Sequence, residues 1–153
     1  MSLTFGGAGW SSVLRAEKVG EMEFSPKFKR YFAIVTFALA LVHFVLETAY
    51  TIVVGQHFLG YLPDCIADIL LVAGGYLLIK NEQNTGILCG AWGFTFCLHY
   101  RTWAWRFEDF MAGTLNEVQT GIMYVLASTM IISLVCFSIT VMMNMPQTRR
   151  DMD

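Results

Sequence analysis

Five side chains able to hold a proton or a metal ion sit at related spacings in this chain. His43 and Glu47 are four residues apart, Asp64 and Asp68 are four apart, and His99 lies two residues before Arg101. On a helix, a step of four stacks side chains on one face, one turn apart. That is chelate spacing, and imidazole with carboxylate suits a borderline ion such as zinc, copper or iron. The metal candidates are therefore His43, Glu47, Asp68 and His99. The same acids can carry protons or hold a ligand without any metal, so Glu47, Asp68, Arg101 and Tyr100 are the candidates for a ligand or proton site. A purely structural polar network between helices needs the same spacing, and the residue types alone do not separate the two. A haem between His43 and His99 fits poorly, because their estimated depths differ by about 5 Å or more. No residue can be assigned a catalytic role. Neither a serine–histidine–acid arrangement nor a phosphate loop nor a dinucleotide fingerprint is present.

The chain around these residues is unusually apolar. Of 153 residues, 56% are hydrophobic and 14% are charged. A soluble domain carries nearer a quarter charged residues, so a lipid bilayer is the expected surrounding. The net charge of -2, with no basic patch carrying interleaved aromatics, gives no footprint for nucleic acid. Cys65, Cys89, Cys97 and Cys136 all fall in apolar runs without CxxC spacing. They read as small buried hydrophobes rather than a zinc or disulfide framework.

Four apolar runs approach the ~20 residues that a bilayer crossing needs. They predict an all-α, four-helix transmembrane bundle with helices over about 31–54, 62–79, 85–105 and 121–145. A segment 1–30 precedes this domain and a tail 146–153 follows it. Residues 9–22 could form a basic helix on the membrane surface or remain a loosely ordered tail. Pro63 suits the first turn of the second helix, where Asp64 would complement the helix N-terminus. A longer connection is expected over 107–120. Lysine and arginine concentrate before the first helix, at Lys80 and at Arg149 and Arg150. The positive-inside rule then places both termini on the cytoplasmic or equivalent side of a plasma, inner or organellar membrane.

On that topology the stretch CLHYRTWAWRFEDF, residues 97–110, lies toward the outer face. At about 1.5 Å per residue, Asp68 is roughly 9 Å deep, His99 roughly 10 Å and Glu47 roughly 12 Å. Three helices thus carry ionisable groups into one outer half-membrane. Charges there cost about 2.5 to 3.5 kcal/mol each at a helix centre, which favours pairing with one another. Gly86, Gly90, Gly93, Cys97 and Arg101 form a small-residue stripe, expected to be a packed face that brings Arg101 within reach of the buried acids. Trp103, Trp105 and Arg106 are the expected interfacial anchors. His57, in the outer link, reads as a surface histidine. The fourth helix, with Ser128, Thr129, Ser133, Ser138 and Thr140, reads as a packing helix.

Small size and minimal loops point to a non-catalytic subunit or a ligand- or ion-binding component of a larger membrane complex. Its partners would be lipid and other membrane subunits or further copies of itself. The alternative is a membrane-embedded metal-dependent or acid–base enzyme, or a proton-coupled carrier, acting on a lipid-soluble substrate.

Overall fold

The computed structural model describes residues 24–145; the surface helix considered for 9–22 and the tail 146–153 lie outside the described residues. Four helices make up the described chain: α1 (Pro26–Val54), α2 (Phe58–Lys80), α3 (Gly86–Met111) and α4 (Glu117–Asn144). Local chemistry, more than apolarity, sets their limits. α1 starts at Pro26 because the Ser25 hydroxyl accepts from the Phe28 N–H and proline sits in the first turn, both good starting signals. It stops at Gly55, whose φ of 71° is left-handed and whose N–H returns to the Thr51 carbonyl, a favoured ending for glycine. α4 starts at Glu117 behind a reciprocal cap between Asn116 and Gln119.

Two expectations change here. α2 begins at Phe58, so Pro63 lies inside the helix rather than in its first turn. Lacking an N–H, it cannot donate to the Leu59 carbonyl, and Asp64 sits a turn too late to complement the N-terminus. α3 continues to Met111. The whole of CLHYRTWAWRFEDF is therefore helical, and the connection expected over 107–120 shrinks to 112–116. An aromatic ladder supports that extension. Phe96, Tyr100, Trp103, Phe107 and Phe110 follow at alternating steps of four and three, with neighbouring ring centroids 5.0 to 6.4 Å apart.

Each helix packs on its neighbours in sequence: α1 on α2, α2 on α3 and α3 on α4. Among the described residues α1 and α4 make no such contact. At one end of the bundle, Lys29 Nζ donates to the Glu82 carbonyl at 3.2 Å and Thr85 Oγ1 to Asn144 Oδ1 at 2.9 Å. The start of α1, the α2–α3 link and the end of α4 therefore share that end.

Small residues share the interior with a few large ones, Leu71, Leu78, Leu88 and Trp92 among them, and many large apolar residues lie outside. Ala33, Thr36, Ala40, Ala67, Ala91 and Thr95 are buried, while Leu41, Val45, Ile52, Ile69, Val125 and Ile131 are exposed. This is the pattern of helices that associate in lipid, where close backbone approach replaces hydrophobic exclusion. α1, α2 and α4 are each long and apolar enough to cross a membrane, which marks the chain as a membrane protein. α3 is not among them: its glycines, His99 and Arg101 dilute its apolar residues. Like α2, it has protein on two sides, here α2 and α4.

α3 does not pack through the glycine stripe. Gly86 and Gly90 face open space, Cys97 and Arg101 are exposed, and Gly93 meets the Phe137 ring. The packed face carries Leu88, Ala91, Trp92, Thr95 and His99. Small residues allow close approach without compelling it, and turning the other face inward would have buried Arg101 at a high cost. The closest backbone approach falls instead on α2, where a Cβ placed on Gly74 would meet Leu88 Cα at 2.7 Å. The cysteines are all free, and Cys97 departs from the expectation of burial while Cys136 meets it.

Candidate functional site

A chain of polar side chains crosses the bundle, one from each helix. Asp68 of α2 is buried, and its Oδ1 lies 2.9 Å from His43 Nδ1 of α1. This is the single ion pair among the described residues whenever His43 is protonated. The His43 ring meets the His99 ring of α3 edge-on, with centroids 5.0 Å apart. His99 Nδ1 in turn lies 2.8 Å from Ser133 Oγ of α4, and Ser133 Oγ donates to its own helix at the Thr129 carbonyl, 2.7 Å away.

These contacts fix which nitrogen of each histidine carries the proton. Asp68, as a carboxylate, can only accept, so His43 donates from Nδ1. Ser133 has one proton and spends it on Thr129, so His99 must also donate from Nδ1. His43 Nε2 and Asp68 Oδ2 are buried without a partner, as is the indole N–H of Trp92.

Beside this chain lies a cavity of about 570 Å³. It occupies the space that α1 and α4 leave by not packing on each other. His43, Leu46, Glu47 and Tyr50 line it from α1, Trp92, Thr95, His99 and Arg106 from α3, and Gly121, Ile122, Val125, Leu126 and Ser133 from α4. The size falls within the range of small-molecule sites, which are likewise mostly apolar with a few placed polar groups. At the end where α1 finishes and α4 begins, Arg106 Nη2 donates to the Tyr50 hydroxyl at 2.7 Å.

The candidate residues divide accordingly. His43, Asp68 and His99 meet directly, and Glu47 faces the cavity one turn from His43. The two histidines lie at one level, without the expected difference in depth, and their edge contact leaves no room for a haem between them. Among the described residues no three histidine, cysteine, aspartate or glutamate side chains come together as a metal-binding group. Asp68 and His43 are committed to each other, and Ser133 takes Nδ1 of His99. Arg101 does not reach the acids: it is exposed, with its guanidinium over the Trp105 ring at 4.7 Å. Arg106, expected as an anchor, is half-buried on the cavity instead. Tyr100 and Trp105 are exposed and Trp103 is half-buried. His57 is exposed at the start of α2.

Ser133 and Trp92 were not singled out as site residues from the sequence. A signal for Ser133 existed: Thr129, Ser133, Cys136 and Thr140 follow at steps of four, three and four, one face of α4. Fold and site together define a helical membrane protein with a ligand-sized cavity inside its bundle. No family model, curated protein or solved structure matches the chain.

Proposed function

We propose that this protein binds a lipid-soluble molecule within its bundle, as a non-catalytic component of a larger membrane complex. The observation that carries this reading is the 570 Å³ cavity, because a membrane protein gains nothing from an unfilled gap beside two histidines and a glutamate. The absence of α1–α4 packing supports sideways entry from the bilayer. All four helices would cross the membrane, α3 shielded by its neighbours. Both termini would lie on the cytoplasmic side, as the lysine and arginine distribution favours.

Gly121→Phe tests the binding. Gly121 lines the cavity, and a Cβ there meets nothing within 4 Å. The added ring fills the cavity without disturbing the fold. Native purification and mass spectrometry should find a lipid-soluble molecule with the wild type and lose it with the variant, at an unchanged melting temperature. Equal recovery from both would overturn the reading.

The polar chain Asp68–His43–His99–Ser133 favours a second reading, in which the same groups move a proton to or from the bound molecule. Turnover of a cavity-bound substrate by the isolated protein would distinguish it from simple binding.

A further inference from the structure

Buried polar atoms around His43 lack partners. Asp68 Oδ2 and His43 Nε2 are buried without a partner. The hydrogen bond between Nδ1 and Asp68 turns that nitrogen toward α2, and Nε2 is buried too, so it is other atoms of the ring that line the cavity. One turn away, Glu47 lines the same cavity, and among the described residues no lysine or arginine forms an ion pair with it. Arg106 is turned to the Tyr50 hydroxyl. The remaining unpartnered buried donor, Trp92 Nε1, belongs to a residue about 10 Å further along α3 from His99. An unpaired carboxylate in apolar surroundings is costly, and a donor that brings its own positive charge offsets that cost.

We infer that the molecule bound in the cavity is a lipophilic amine. Its ammonium donates to the Glu47 carboxylate, and its apolar tail lies along Val42, Leu46 and Leu126. This rests on the ligand-binding reading above and names the ligand's class. An ammonium has three donors and no acceptor, which suits the Glu47 carboxylate on the cavity wall, while Arg106 on the same wall is turned to the Tyr50 hydroxyl. The cavity measures roughly 17 Å from Leu39 to Tyr50 along α1. That is close to one leaflet of a hydrocarbon core about 30 Å thick, so a single alkyl chain fits its length.

The test compares dodecylamine, dodecanol and dodecanoate, which share one tail, on the full chain in phosphatidylcholine nanodiscs at neutral pH. Dodecylamine should bind about tenfold or more tighter than the other two, the ratio expected when one charge-assisted hydrogen bond is gained. Glu47→Gln should remove that preference and leave dodecanol binding unchanged, which shows that the variant is folded. Gly121→Phe should weaken all three. Tightest binding of dodecanoate, lost in Arg106→Gln, would overturn the amine and leave the cavity reading intact. A preference for amine that survives Glu47→Gln would also overturn it. If none of the three binds, or Gly121→Phe changes nothing, the cavity reading falls with it.

Discussion

Gly74→Ala is the sharpest test of the packing that holds the site together. The new Cβ would sit 2.7 Å from Leu88 Cα and 2.9 Å from Leu88 N. Carbon atoms in comfortable contact are about 3.5 to 4.0 Å apart, so α2 and α3 must separate by about 1 Å. Neither side can yield by a side-chain rotation, because the obstruction is backbone. Overpacking of this kind costs about 1 to 3 kcal/mol. Against it stands the helix preference for alanine over glycine, about 0.5 to 1 kcal/mol. A net loss of up to about 2.5 kcal/mol follows, and each kcal/mol lost lowers the melting temperature by about 2 to 4 °C on the scale of soluble domains of similar length. Two controls isolate the cause. Gly75→Ala meets only the Phe37 ring, at 3.0 Å, and Gly90→Ala meets nothing within 4 Å. Thermal melts in one detergent should therefore rank Gly74→Ala lowest, Gly75→Ala between it and the wild type, and Gly90→Ala at or above the wild type. A Gly74→Ala protein that melts with Gly90→Ala would refute the claimed α2–α3 contact and the helix arrangement built on it.

Three further outcomes follow from the site. Asp68→Ala strands the His43 N–H in the interior, so it should lower stability by about 1 to 3 kcal/mol; Asp68→Asn keeps an acceptor and should cost less, and the exposed control Glu108→Gln should match the wild type in the same melt. Arg106→Gln and Tyr50→Phe should each destabilise the protein, and the double variant should cost less than their sum, because both remove the one 2.7 Å hydrogen bond. Arg101→Gln, which loses only an exposed contact with Trp105, should cost about 0.5 to 1 kcal/mol at most, and a larger effect would mean that Arg101 has a buried partner after all. For orientation, with Cys97 replaced by serine, a cysteine at Gln56 should react with an impermeant reagent only from outside and one at Gln83 only from inside; the reverse pattern would invert the topology.

The sequence by itself determined that the chain forms long helices and that Glu47, Asp68 and His99 occupy related depths, whereas the level of His43 beside His99 emerged only in the structure. Both follow from local rules: a run of apolar residues and a fixed rise and turn per residue need no knowledge of neighbours. The same rules put His43 and Glu47 on one face of α1, where both line the cavity. Capping shifted helix limits by several residues, because Ser25 and Asn116 act outside the apolar runs. Only the tertiary structure decided how each helix is rotated and which helix stands beside it. That choice paired His43 with Asp68, gave His99 to Ser133 on a helix that had read as mere packing, and turned Arg101 out while Arg106 turned in. Rotation is set by many weak contacts spread along the helix. The decisive ones were the approach of Gly74 to the Leu88 backbone and the cost of burying a guanidinium, rather than the stripe of small residues on α3. The cavity was least legible of all, since it arises where α1 and α4 fail to meet, and no residue within either helix records the absence of a neighbour.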